Sequence, residues 1–246
     1  MLEVRSLQKN FGGLEAVSDL TFDVNEGEIR GLIGPNGAGK TTIFNLVSGY
    51  YTPTSGRIIY NGRNIAGMKV HDIAGLGVLR TFQGTTLFLE LSVLDNVLVG
   101  QHLQIHRGML NSIFGQAREK AHIDEAMRIL EFMELADKAQ ELAANLAHGH
   151  QRALGIAIAL AGKPKLLMLD EPFAGMNPEE TRAMMEHLFR VRDSDITLLL
   201  VEHDMAAVMG LCDYITVVTF GRLLAEGLPG DVRRDEQVIE AYLGSA

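Results

Sequence analysis

The chain has 246 residues, 47% hydrophobic and 22% charged, enough to bury a full core as one large domain or as a core with an inserted subdomain. Its formal net charge of -9 works against a broad nucleic-acid footprint, which needs clustered Lys and Arg, and its single cysteine, Cys212, permits no internal disulfide and reads as a buried, inert thiol in a reducing compartment. No charged-then-apolar leader opens the chain, and the longest apolar stretch, around Ala153 to Ala161, falls far short of the ~20 residues of a spanning helix. A cytoplasmic protein, soluble or peripheral to a membrane, is expected.

From Leu2 to Glu28, short apolar runs broken by Gly12-Gly13 and Asn25-Glu26-Gly27 read as strands of a small antiparallel sheet. Phe11 ends the first run, where it is either a stacking surface for an adenine or a core or turn aromatic. The run Ile29 to Ile33 suits a buried strand. It leads into Gly34-Pro35-Asn36-Gly37-Ala38-Gly39-Lys40-Thr41-Thr42, which fits G-x-x-x-x-G-K-[ST]. Glycines let the backbone turn its N–H groups toward phosphate oxygens, Lys40 adds a point charge, and the Thr41 hydroxyl suits Mg²⁺. A helix from Thr42, stopped by Gly49, completes a strand, loop and helix N-terminus that favours an anion.

Pro53 to Gly56 reads as a turn, Arg57 to Tyr60 as a strand, and Val78 to Phe82 as another strand delivering Gln83 to its carboxyl end, where α/β sheets meet ligands. Between Gly84 and Leu146 helical periodicity takes over. Ser92 to Asp95 resembles a capping box, and Ile123, Met127, Leu130 and Met133 mark an inner face with Asp124 and Arg128 paired outside. Gln151 to Gly162 is apolar all round and predicts a buried helix.

Leu166 to Leu169 is an apolar strand that emerges into Asp170-Glu171. Beside a phosphate loop, such an Asp organises the Mg²⁺ that Thr41 also holds, and the following Glu polarises an attacking water. Asn177-Pro178-Glu179-Glu180 opens a helix with an N-cap and a proline at its first turn. Ile196 to Val201 is a buried strand ending in Glu202-His203-Asp204, so His203 arrives at the same kind of strand end as Asp170 and Gln83 and suits a γ-phosphate contact. Tyr214 to Glu226 reads as a strand pair, and a short helix closes the chain around Val238 to Leu243. The expected fold class is α/β: a P-loop NTPase core, resembling the RecA-like cores, with a mostly parallel sheet, an N-terminal antiparallel β-subdomain and an inserted α-helical subdomain. The expected partition is one nucleotide-binding domain over 1–246, with core 1–84 and 151–246 and helical insert 85–150.

Over its whole length the chain resembles the ATP-binding cassette ATPases, and among them the ATP-binding subunits of branched-chain amino-acid importers. The narrower likeness rests on Leu146-Ala147, on Glu171 to Pro178, on Val201 to Met205 and on Ala241-Tyr242-Leu243-Gly244. The resemblance implies ATP and Mg²⁺ as ligands, with Gly34 to Thr41 as the Walker A loop and Thr42 beside it. It implies Phe11 against adenine, Asp170 and Glu171 as the Walker B pair, Ala174 to Asn177 as the D-loop and His203 as the switch histidine. Gln83 would link Mg²⁺ to the membrane partner. The implied partners are a second cassette, alike or different, and membrane-spanning permease subunits, with indirect coupling to a solute-binding protein; the implied place is the cytoplasmic face of the cell membrane. No nucleic-acid partner is expected.

Two stretches depart from the family: in the D-loop Asn177 replaces the usual Asp and keeps an N-cap oxygen, a mild change, and the signature departs further. The usual LSGGQ signature, which completes the site of the opposing cassette, is here Leu146-Ala147-His148-Gly149-His150. Ala147 has no side-chain donor, Gly149 and the helix N-terminus still offer N–H groups, and His148 and His150 either add donors or only shape the loop. Two other classes stay open on this text: a nucleotide-gated binding module with slow hydrolysis, and a DNA-repair or translation cassette, against which the acidic balance counts.

Overall fold

The computed structural model of the chain describes residues 1–81, 87–101 and 115–243, the last including 115–118 and 243 by backbone only. Two compact units emerge, Met1–Arg80 with Lys165–Phe173 and Leu188–Ala246, and Thr81–Pro164 with Ala174–His187.

The first unit holds both sheets. Strands β1 (Leu2–Phe11), β2 (Leu14–Val24), β4 (Ser55–Tyr60) and β5 (Arg63–Asn64) form an antiparallel sheet in the order β2-β1-β4-β5. Leu2 and Val4 alternate into the core, and an irregularity in the pairing with β2 between Val4 and Leu7 brings Leu7 to buried surroundings as well. The second sheet runs β10-β9-β3-β8-β7-β6, from β3 (Ile29–Ile33), β6 (Val78–Arg80), β7 (Leu166–Asp170), β8 (Thr197–Val201), β9 (Tyr214–Thr219) and β10 (Arg222–Gly227). All neighbours are parallel except β10, which returns antiparallel to β9. Every residue of β3, β7 and β8 is buried, as expected of strands covered on both faces. Helix α1 (Lys40–Val47) sinks Ile43, Phe44, Leu46 and Val47 into the core that also takes Leu2, Ile58, Met168 and Val201. The same unit also holds the helices α2 (Val70–Gly75), α7 (Met205–Leu211), α8 (Pro229–Val232) and α9 (Glu236–Leu243).

The second unit is helical: α3 (Val93–Gly100), α4 (Gly115–Phe132), α5 (His148–Ala161) and the first part of α6 (Pro178–Arg192), whose last turn belongs to the first unit. The Ser92 hydroxyl caps α3 by accepting from Asp95 N–H at 3.0 Å. At Gly100 a Cβ would come within 2.3 Å of the Ile158 carbonyl, so glycine lets α3 approach the backbone of α5.

Several boundaries depart from expectation. Helix α1 starts at Lys40, two residues early, because Gly39 turns into the helix with φ 98°. Strand β6 stops at Arg80. The Arg128 guanidinium pairs with Glu125 at 2.7 Å rather than with the Asp124 carboxylate, since i,i+3 also brings the groups together and Lys163 reaches the same Glu125 at 3.4 Å. Helix α5 is not buried all round: Ile158 and Leu160 are half-buried. No described helix is long and apolar enough to cross a membrane.

Candidate functional site

Four adjacent parallel strands, β3, β8, β7 and β6, deliver their carboxyl ends to one edge of the sheet. Register aligns them: Leu32 of β3 pairs with Val201, and Val201 with Asp170 of β7. The residues that follow are therefore Gly34 after β3, Glu202-His203 after β8, and Glu171 after β7, at the kind of edge where α/β sheets hold ligands. Gln83, expected after β6, lies outside the described residues.

The loop between β3 and α1 is built by close backbone contacts. A Cβ on Gly34 would fall 2.0 Å from the Val218 carbonyl, and one on Gly39 2.7 Å from the Ala16 carbonyl. Both positions exclude any other residue without movement of backbone. Ala38 N–H donates to the Pro35 carbonyl at 3.1 Å, and Gly221 N–H to the Ala38 carbonyl at 2.9 Å, so the β9–β10 turn braces the loop. Lys40 arches back over it: Nζ donates to the Gly34 carbonyl at 2.6 Å and to the Pro35 carbonyl at 3.0 Å. Burial holds the Lys40 ammonium below the ordinary lysine range, while the Glu171 carboxylate acts in the opposite direction. Asn36, Gly37 and Thr41 are exposed, and Pro35 and Thr42 half-buried, so the rim of the loop stays open while Ala38 anchors it inside.

At the acidic strand end, Asp170 is buried and its Oδ2 accepts from Arg80 Nη2 at 2.7 Å. Glu171 takes a left-handed φ of 49°, an uncommon conformation for a non-glycine residue, and its N–H donates to the Val201 carbonyl at 2.9 Å. His203 is exposed, with Nδ1 3.9 Å from Glu171 Oε1 and 3.8 Å from Glu202 Oε2. Behind them lies Glu202, only 1% exposed. Its Oε1 accepts from Phe173 N–H at 2.9 Å, and its Oε2 from His203 N–H at 3.0 Å and Asp204 N–H at 3.4 Å. One buried carboxylate thus ties the backbone after β7 to the backbone after β8.

Phe11 is 41% exposed at the end of β1. Tyr51 stacks edge-on against it, with ring centroids 5.2 Å apart, and the Lys9 ammonium stands 4.8 Å from its centroid. A half-exposed ring held on one side can stack on a planar ligand with the other.

Leu146 to His150, expected as the signature, and Ala174 to Asn177, expected as the D-loop, both lie in the second unit. Helix α5 begins at His148 with Ala147 as N-cap and no side-chain cap, so its first N–H groups lack a capping oxygen from that residue. His148 packs against the D-loop: a Cβ on Gly175 (φ 79°) would stand 3.1 Å from the imidazole Cε1. Gly149 faces Glu180, whose Oε1 would be 3.1 Å from an added Cβ. Glu180 completes a reciprocal capping box, accepting from Asn177 N–H at 2.9 Å while Asn177 Oδ1 accepts from Glu180 N–H at 3.0 Å. His150 lines a cleft with Glu134, Met176, Glu180 and His187.

Sequence spacing brings out the loop, the acidic pair and His203, but not Glu202 or Arg80, whose partners are set by the sheet order. Their signal was only that a charged residue stands at the end of an apolar strand.

The oxygen donors present suit a small hard cation. The Thr41 hydroxyl and the Asp170 carboxylate are oxygen groups of the kind that Mg²⁺ accepts beside substrate phosphates and water, and among the described residues no cluster of three or more His, Cys, Asp or Glu forms a separate cage.

Comparison with known proteins agrees with this geometry. The ABC transporter family profile matches residues 17–174, and the profile of the branched-chain amino acid ATP-binding cassette transporter matches residues 222–246. The chain is 45% identical to the high-affinity branched-chain amino acid transport ATP-binding protein LivG of Salmonella typhimurium, over 100% of the chain and 98% of that protein. It is 42% identical, with the same coverage, to BraF of Pseudomonas aeruginosa, which bears the same description. A nucleotide-free ATP-binding cassette from an ABC transporter superposes with a TM-score of 0.87 at 28% identity, covering 98% of each chain. A cassette solved in its ADP conformation gives 0.88 at 28% identity, over 99% of this chain and 98% of the other.

Proposed function

Since the chain belongs to the ATP-binding cassette family of transporter ATPases, we propose that it drives an importer of branched-chain amino acids by binding Mg·ATP, closing against a second cassette and hydrolysing the γ-phosphate. The observation that carries the reading is the convergence of the glycine loop, Asp170-Glu171 and His203 on the carboxyl ends of adjacent strands.

In this reading the loop from Gly34 to Thr42 wraps the phosphates with backbone N–H groups, and the N-terminus of α1 adds its dipole. Lys40, held over the Gly34 and Pro35 carbonyls, exchanges them for phosphate oxygens when nucleotide arrives. Such an exchange favours binding, because a partly buried ammonium gains an anionic partner. Phe11 stacks on the adenine. Thr41, Asp170 and Gln83 would hold Mg²⁺, which supplies charge neutralisation on the phosphates. Glu171 accepts the proton of the attacking water as general base, and His203, beside it, orients toward the γ-phosphate. Glu202 holds the backbone of His203, and of Phe173 two residues beyond Glu171, from behind.

The opposing wall of the site comes from Ala147 to His150 of a second cassette. Ala147 brings no hydroxyl, so backbone N–H groups at the start of α5 carry that contact. His148, packed on Gly175, links the signature to the D-loop within one chain.

Permease subunits are the partners that turn cassette closure into transport, and the chain would sit as a peripheral subunit on the cytoplasmic membrane face. The cargo follows from the names of the relatives and from the C-terminal profile match. The test is reconstitution of the chain with the permeases that copurify with it. Leucine, isoleucine or valine with a solute-binding protein should stimulate ATP turnover several-fold. Stimulation by an unrelated solute and not by these three contradicts the cargo, and no ATP turnover at all contradicts the enzyme.

A further inference from the structure

Arg80 is the last residue of β6 and the last of the first unit's opening segment. It stands outside the nucleotide motifs. Its side chain is nonetheless buried, 7% exposed beside an Asp170 side chain at 3%. Nη2 donates to Asp170 Oδ2 at 2.7 Å, while Nη1 donates to Asn45 Oδ1 at 2.6 Å and to Ser48 Oγ at 3.2 Å. The guanidinium carbon lies 5.4 Å from the centroid of Phe44. Phe44 and Asn45 belong to α1 and Ser48 is its C-cap. One planar group therefore bridges the helix that starts at the phosphate loop and the strand end that bears the acidic pair.

Three considerations separate this bridge from ordinary core packing. A buried ion pair adds little net stability, because desolvation offsets the attraction, so its main consequence is geometric. The guanidinium fork holds two elements at a set separation, which a flexible ammonium does not. The bond to Oδ2 also restrains the Asp170 carboxylate from the side of β6.

We propose that Arg80 is a positioning residue for the metal site: it orients the Asp170 carboxylate and sets its distance from α1, whose first turn carries Thr41. The inference rests on the Mg·ATP reading above. Charge alone would act the other way, since a cation beside a cation site repels the ion. Arg80→Lys separates the two effects, because it keeps the charge and loses the fork.

The experiment uses the full chain as wild type, Arg80→Lys and Asn45→Ala. Mn²⁺ is titrated by electron paramagnetic resonance in the presence of a saturating non-hydrolysable ATP analogue, and analogue affinity is measured separately in EDTA. Loss of one hydrogen bond to a charged group predicts roughly tenfold weaker Mn²⁺ binding in Arg80→Lys and a smaller loss of about threefold in Asn45→Ala. Analogue affinity in EDTA should stay at the wild-type value. Unchanged Mn²⁺ affinity in both variants overturns the proposal, as does an equal fall in EDTA, which marks a merely structural role. Should Arg80→Lys fail to fold, Asn45→Ala decides, because it leaves the Arg80–Asp170 pair in place. A wild-type chain that binds no Mn²⁺ with the nucleotide overturns the Mg·ATP reading itself, and this inference with it.

Discussion

Replacing Glu202 by glutamine removes one acceptor from a buried knot of backbone donors while keeping the side chain's size. The carboxylate accepts from Phe173, His203 and Asp204 N–H groups, all converging on a group 1% exposed. An amide keeps one acceptor oxygen. Whichever way it turns, its NH₂ faces either Phe173 N–H or the pair from His203 and Asp204, and at least one buried donor is left unmatched. That costs about 1–3 kcal/mol, reduced somewhat because a neutral amide is easier to bury than a carboxylate. Taking roughly 2 kcal/mol, the melting temperature falls by about 4–8 °C for a chain of this size. Because the knot ties Glu171-Pro172-Phe173 to His203, Glu171 and His203 lose their mutual placement, and single-turnover ATP hydrolysis falls by about tenfold or more for a misplacement of this kind. Thermal unfolding followed by circular dichroism and rapid-quench hydrolysis read the two effects. A variant with an unchanged melting temperature and unchanged hydrolysis refutes the claim that Glu202 supports the site.

Three further outcomes are expected. Ala147→Ser supplies the missing N-cap oxygen of α5 and should stabilise the helix by about 1 kcal/mol, raising the melting temperature by roughly 2–4 °C; no rise contradicts the assignment of Ala147 as an uncapped N-cap. Burial pushes the Cys212 thiol up to about 12 and the Tyr242 hydroxyl up to about 12, with Gly34 backbone hydrogen bonding pulling Tyr242 the other way. Both folded values lie above the unfolded ones, so this stabilisation is complete below the unfolded thiol pKa of ~8.5 and is lost as pH rises toward 12. The melting temperature should therefore decline across that alkaline window, and iodoacetamide at pH 8 should label Cys212 only in denaturant. Ready labelling of the native chain contradicts the burial.

The parts of the site legible in sequence are those whose chemistry is written at fixed local spacing. Gly34 to Thr41 declares itself because glycines, a lysine and a hydroxyl must follow one another within a single turn. Asp170 and Glu171 declare themselves as acids at the end of an apolar strand, and Asn177-Pro178 as a helix start, to which the structure adds the reciprocal bonds with Glu180. Glu202 and Arg80 escaped because their roles depend on which strands become neighbours. The order β3-β8-β7-β6 sets Val201 beside Asp170 and so brings Glu202 toward Phe173, a relation absent from any local pattern. The Arg128 pairing failed for a related reason: i,i+3 and i,i+4 partners were both available, and tertiary contact with Lys163 favoured Glu125. The early start of α1 turned on a single left-handed glycine, Gly39, which periodicity does not register.

The central claim is that Glu171 activates water in a nucleotide site completed by a second cassette. Its most direct test is the oligomeric state of purified Glu171→Gln with Mg·ATP, measured by light scattering beside Lys40→Ala. Glutamine keeps the shape and removes the base, so Glu171→Gln should accumulate as an ATP-bound dimer, alone or with a partner cassette, and hydrolyse at least ~10²-fold more slowly than wild type. Lys40→Ala should stay monomeric and bind no nucleotide. Wild-type turnover in Glu171→Gln, with no dimer under either pairing, contradicts the claim.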